Sequence, residues 1–191
     1  PGLRESLGDR YEIGSVDIAG ESGSVISGDS TEVLIVAGAT APLDSIATQR
    51  VKEYIDQGGA TLLLMESIAL NPQMPNPLPV RSGLESILSD RGVELSGSVV
   101  ADLQSSENVS MGRRGLFNVI APYPLWPIAI PASDHPITSG INAVTFAWAA
   151  QLEITDTARV TPLWKTTPSG IVRAPMESIS PDQEWNVPPD E

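Results

Sequence analysis

Cysteine is absent from the 191 residues. That removes disulfides, thiolate metal ligands and every cysteine-nucleophile mechanism at once, and it fits either side of a membrane. Histidine occurs once, as His135. A metal site would therefore have to be built from carboxylate oxygens, and no D-x-[DN]-x-[DN]-G loop is there to build it, so neither a metal nor another cofactor is expected. Lysine occurs only as Lys52 and Lys165, and 11 basic residues stand against 24 acidic ones, for a net charge of −13. Such a surface repels a phosphate backbone, which proteins hold with Lys and Arg, so no nucleic-acid partner is expected. The same charge speaks against adhesion to anionic lipid. It serves solubility, or it complements a cationic partner. No apolar run approaches the roughly 18–20 residues of a membrane helix, and no basic segment followed by an apolar one marks an export signal.

What is present is a globular but loop-rich chain, 41% hydrophobic, with 16 Gly and 17 Pro. Its length suits one sizeable core. "LRESLGDR" reads as the end of a helix and "YEIGSVDI" (11–18) as a strand. "VLIVAG" (33–38) is a β-branched run of buried-strand type. Asp44 then caps a helix whose apolar positions Ala47, Val51 and Ile55 fall at spacing four, and Gly58-Gly59 supplies a left-handed stop. "TLLLMES" (61–67) reads as the next buried strand, which completes a βαβ unit. The prolines of "NPQMPNPLPV" (71–80) exclude regular structure there. "SGLESILSDRGVEL" predicts a short helix stopped by Gly92, and "SVVADL" (98–103) a further strand. "FNVIAPYPLWPIAIP" (117–131) reads as an irregular edge strand, since proline cannot donate to a ladder. "VTFAWAAQLEI" (144–154) and "RVTPLW" (159–164) read as later strands. The expected organisation is one α/β domain over residues 1–173, followed by a Pro-rich acidic tail at 174–191, loosely held.

The turn "AGATAPLD" after the first apolar run is the obvious place for a phosphate, and the residues argue against one. Gly38 stands alone, where a dinucleotide or P-loop pattern needs several glycines. Pro42 denies a backbone N–H, and Asp44 already sets a negative charge at the helix start. Nucleophilic catalysis lacks a G-x-S-x-G elbow. Glu66 and Ser67 follow a strand predicted to be parallel, at the end where α/β sheets place ligands. Asp102 closes "VVAD" in the same way. Arg113-Arg114 is a basic pair in an acidic chain, suited to an anionic patch on a partner. Trp126 and Trp148 read as core or edge packing. Candidate binding residues are accordingly Gly38, Asp44, Glu66, Ser67, Asp102, Arg113, Arg114 and His135, and none is assigned a catalytic or metal role.

Three stretches resemble one family. "STEVLIVAGATAPLDSIATQRVKEYIDQGGATLLLME", "GLESILSDRGVELSGSVVADL", and "HPITSGIN" followed by "VTFAWAAQLEI" and "VTPLWKTTPSGIV" are similar to segments of the auxiliary proteins of gliding-motility ABC-type transport systems. The match runs from about Leu3 to Val172. The resemblance implies a non-catalytic extracytoplasmic domain, held to the cell membrane by helices outside this segment, with an ABC permease and ATPase as partners. It implies a three-layer α/β fold with a mostly parallel sheet, flavodoxin-like and class I glutamine-amidotransferase-like, with irregular strands added. A related domain type occurs in an intraflagellar-transport subunit, where it serves assembly. The family also has strands before and after the matched region, so truncation at both ends is expected. On this reading loops 38–44, 66–81 and 104–115 meet the partner. The alternative is an extracytoplasmic receptor for a sugar or peptide, with its pocket around Gly38, Glu66 and Asp102. A third reading, a hydrolase built on Ser67 and His135, has no motif behind it.

Overall fold

The computed structural model describes residues 2–39, 41–70, 76–114, 116–174, 177–181, 183 and 185, with Arg114 described by its backbone alone. The chain divides into two compact units, Pro1–Ala37 with Pro42–Leu64, and Gly38–Ala41 with Met65–Glu191.

The first unit begins with helix α1 (Leu3–Gly8) and then runs without regular structure through residues 11–18, where a strand was expected. The glycines and small polar residues of 14–30 leave too little contiguous apolar surface to hold an extended segment in a sheet. Strand β1 (Val33–Ala37), helix α2 (Ser45–Asp56) and strand β2 (Ala60–Leu64) form the expected βαβ unit, with β1 and β2 parallel and Ile35 opposite Leu62. Helix α2 begins where its cap begins: the Asp44 carboxylate accepts from the Ala47 N–H at 2.7 Å. It ends in a pair of reversed hydrogen bonds, Gly58 N–H to Ile55 O and Gly59 N–H to Tyr54 O, with Gly58 at φ 89°. That arrangement satisfies carbonyls the helix leaves open and needs a residue free of a Cβ. Ala47, Val51 and Tyr54 form its buried face, and the Tyr54 hydroxyl donates to the Thr31 carbonyl. The two strands are not the buried strands their composition suggests. Only Leu34 is buried, while Val33, Ile35, Leu62 and Leu64 are exposed.

The second unit is antiparallel. Strands β3 (Ile68–Ala69) and β4 (Leu78–Pro79) pair with each other, so part of the proline-rich stretch is ordered in a ladder after all. Helix α3 (Glu85–Ser89) follows; ahead of it the Glu85 carboxylate accepts from the Ser82 and Gly83 N–H groups. Strand β5 (Val93–Asp102), the hairpin strands β6 (Ser106–Arg114) and β7 (Phe117–Pro131), β8 (Val144–Thr145), β9 (Ala150–Ile154), β10 (Trp164–Lys165) and β11 (Gly170–Arg173) complete it. Their order is β11-β5-β9 in one sheet and β10-β7-β6 in another, with β8 also on β7.

Among the described residues, the β1–β2 pairing alone is parallel, and this corrects the three-layer, mostly parallel, flavodoxin-like expectation. The physical reason lies in the connections. Parallel neighbours need a crossover of a dozen or more residues, usually a helix. Only three residues separate β5 from β6 and two separate β6 from β7, which permits nothing but a reversal.

Strand β7 is also no edge strand: it pairs with β6, then β8, then β10 along its length. Its prolines are accommodated at a break. Ser106 lies opposite Pro127 and Asn108 opposite Pro122, so one residue of β6 faces four of β7, Tyr123 to Trp126. This bulge swings Tyr123 and Leu125 into the core of the unit, where they join Ile68, Val99 and Ala101.

Candidate functional site

The eight residues singled out by sequence do not converge. Gly38 is exposed in the turn after β1 and adopts φ 65°, a conformation that glycine takes freely. Asp44 is a structural clamp: besides capping α2, it accepts from the Gly20 N–H at 2.9 Å, and Arg50 of the same helix donates to the Ile18 and Gly20 carbonyls. The N–H groups of Ala47 and Gly20 hold its carboxyl below the usual range. Glu66 is exposed, and its neighbour Ser67 is buried with an Oγ that has no hydrogen-bond partner among the described residues. His135 spends its Nδ1 on the Ile137 N–H at 3.2 Å, capping the 3-10 turn Pro136–Thr138. The Ser67–His135 pair of the hydrolase reading is therefore not assembled. Among the described residues no group of three or more Asp, Glu or His could hold a metal.

Asp102 is fully buried at the end of β5 and spends its oxygens on four donors. Its Oδ1 accepts from Gln104 N–H, Ser105 N–H and the Thr167 hydroxyl, and its Oδ2 accepts from Thr167 N–H at 2.7 Å. Burial alone pushes this carboxyl up, but the Gln104, Thr167 and Ser105 donors together outweigh burial and hold it below the ordinary value. The residue pins the turn between β10 and β11. Beside it lies an open depression of about 480 Å³ bounded by Gln104, Ile130, Lys165 and Thr166–Pro168, with Lys165 its one charged side chain.

Arg113 lies in a different setting, at the tip of the β6–β7 hairpin. Arg113 faces Asn118 and Arg114 faces Phe117 across the ladder; the side chain of Arg114 lies outside the described residues. A second bulge, at Met111-Gly112 with Gly112 at φ 92°, re-aims this last stretch. The Ser110 hydroxyl, donating to Asn118 Oδ1 at 2.8 Å, ties the strands below it. Beyond this point Leu116 is 98% exposed, Phe117 78% and Ile120 63%. Large apolar side chains so bare, on and next to one turn with Arg113 exposed beside them, form a contact surface left uncovered by the described residues. Sequence reading found the arginines and missed the apolar half. The signal was present in "RRGLF", where a leucine and a phenylalanine follow the arginines after a single glycine.

Comparison with known proteins adds two findings. The model of a family described as "ABC-type uncharacterized transport system" matches residues 2–190. The solved structure described as "mmIFT52 N-terminal domain" superposes with a TM-score of 0.58 over 91% of this chain and 73% of that one, at 14% identity. That likeness speaks for the fold and for nothing more. No curated protein matches the chain.

Proposed function

The chain belongs to the ABC-type uncharacterized transport system family, and from that premise we propose that it is a non-catalytic auxiliary subunit of such a system, docking through the β6–β7 hairpin tip onto a permease or ATPase subunit. Its place is the extracytoplasmic side of the cell membrane, with the anchor elsewhere in the protein, as in the gliding-motility type. The observation that carries this reading is the tip itself: Leu116, Phe117 and Ile120 bare, with Arg113 exposed beside them, on a chain of net charge −13. An apolar groove rimmed by carboxylates fits that surface. The apolar side chains supply the area buried on docking, and the Arg113 guanidinium supplies orientation and discrimination among partners.

The test is crosslinking mass spectrometry on the full-length protein, gently extracted from its native membrane, beside a Leu116→Ser/Phe117→Ser variant. Crosslinks from the tip to an ABC subunit that disappear in the variant are the expected result. Recovery of the wild type without transporter peptides, or crosslinks unchanged by the double substitution, would remove the proposal.

A further inference from the structure

The bulge of β7 builds a second surface, independent of the hairpin tip. Within it the rings of Tyr123 and Trp126 meet edge to face at 6.0 Å, and Trp148 stands 5.1 Å from Trp126 at 90°. Trp148 was expected within a strand; instead it sits between β8 and β9 at φ 52°, a left-handed backbone that a bulky residue rarely adopts. Its backbone N–H donates to the Leu125 carbonyl and its indole N–H to the Tyr123 hydroxyl at 3.1 Å, and these bonds hold the strained turn. Strain of this kind gathers at binding and switching sites. The three rings form a stiff platform, and stiff aromatic side chains lose little entropy when something settles on them.

Something already does. From the Pro-rich acidic tail, Ile179 and Trp185 pack against this cluster. The Tyr123 hydroxyl donates to the Ile179 carbonyl, the Trp185 ring meets Tyr123 edge to face at 6.4 Å, and the Arg173 guanidinium lies 5.2 Å over the Trp185 ring. The tail joins no ladder among its described residues, and Glu177 N–H and Gln183 N–H close local turns on Ala174 O and Ser180 O. The fit is also incomplete. The indole N–H groups of Trp126 and Trp185 and the Gln183 side-chain amide are buried without a hydrogen-bond partner among the described residues, and each such orphan lowers the stability of the contact.

We propose that the Tyr123–Trp126–Trp148 platform is a peptide-binding site for an extended, proline-containing, tryptophan-bearing segment of a partner protein, and that the tail, through Ile179 and Trp185, occupies it in cis until that segment displaces it. The chemistry of the ligand is written in the occupant. The platform holds it by one backbone carbonyl and one indole ring, which any extended segment with a tryptophan can offer. A segment in extended polyproline II conformation makes no internal hydrogen bonds, unlike the turns of the tail, so its carbonyls are free to meet Trp126 Nε1, the platform donor that the tail leaves unpaired. Exchange then replaces an imperfect seat by a satisfied one.

The experiment uses the full chain and, as probe, a fluorescein-labelled synthetic peptide of residues 174–191. A site occupied in cis binds a competitor with an affinity reduced by the fraction of time it is open. Trp185→Ala in the full chain loosens the cis tail, so the labelled peptide should bind it about tenfold more tightly than it binds the wild type. A peptide carrying the same Trp185→Ala change should not bind. Glu177→Ala, which removes from the cis tail alone its ion pair with Arg173 of β11, should shift affinity the same way by about two- to fivefold. It decides the matter if circular dichroism shows that Trp185→Ala does not fold. Equal affinity for wild type and variants, no binding to any of them, or undiminished binding of the altered peptide would each overturn the proposal.

Discussion

Tyr123 donates its phenolic hydrogen to the carbonyl oxygen of Ile179, 56 residues further along the chain. The Tyr123 hydroxyl oxygen in turn accepts from the Trp148 indole N–H, so one buried hydroxyl ties together the bulge of β7, a strained turn and the tail. Tyr123→Phe keeps the ring and removes both bonds. It should lower stability by about 1–3 kcal/mol, since a carbonyl and an indole N–H lose their partner. The denaturation midpoint followed by tryptophan fluorescence measures this. A change below about 0.5 kcal/mol would mean that the bond is not held in solution.

The hydroxyl of Tyr123 has a pKa raised by burial. The folded state therefore holds this proton more tightly than the unfolded one. Its contribution is complete below the unfolded value of about 10 and is lost as pH rises from there through the folded value. Midpoints measured between pH 8 and 11.5 should fall more steeply for the wild type than for Tyr123→Phe. Parallel curves would contradict the assignment.

Asp102 behaves with the opposite sign. Its carboxyl is held low by four donors, so its contribution is present above the unfolded value of about 3.9 and is lost as pH falls towards the folded one. Asp102→Asn turns an amide N–H₂ towards donors that need an acceptor and should destabilise the second unit by about 3 kcal/mol at neutral pH. The variant should also lose part of the acid-dependent decline seen in the wild type between pH 4 and 2. Titration of the midpoint against pH checks both.

Gly59→Ala tests the first unit. A Cβ at this position would come within 2.3 Å of the Tyr54 ring, displacing the side chain whose hydroxyl reaches Thr31. Overpacking of this kind costs about 1–3 kcal/mol. Faster amide hydrogen exchange across residues 47–56, with residues 93–102 unchanged, is the expected result.

Leu116→Ser/Phe117→Ser should leave the unfolding midpoint within about 0.5 kcal/mol of wild type, because neither side chain is buried in the chain. The pair should nonetheless reduce the binding of an apolar fluorescent dye. A large loss of stability would show that these side chains pack in solution and are not a free contact surface.

The two bulges mark where reading ahead from residues failed. "APYPLWPIAIP" was legible as an irregular strand but not as the strand that pairs with three others, because a ladder break is visible only once Ser106 and Asn108 are opposite. The parallel sheet was inferred from one correct βαβ unit, 33–64, extended to 11–18 and 98–103; the first forms no strand, and the second lies in β5, whose ladders with β9 and β11 are antiparallel. At the candidate site, the charge of Arg113 was visible in isolation. The exposure of Leu116 and Phe117 was not, since composition does not say which apolar residues find cover.

What the sequence by itself determined is local or subtractive. The lack of cysteine and the single histidine closed off whole chemistries. The Asp44 cap and the Gly58-Gly59 stop bounded helix α2, because each is satisfied by groups within five residues of it. Strand direction, the swing of Tyr123 into the core and the seating of Trp185 were decided only by tertiary structure. Each depends on donors, acceptors and rings tens of residues away, and no local preference encodes a partner that distant.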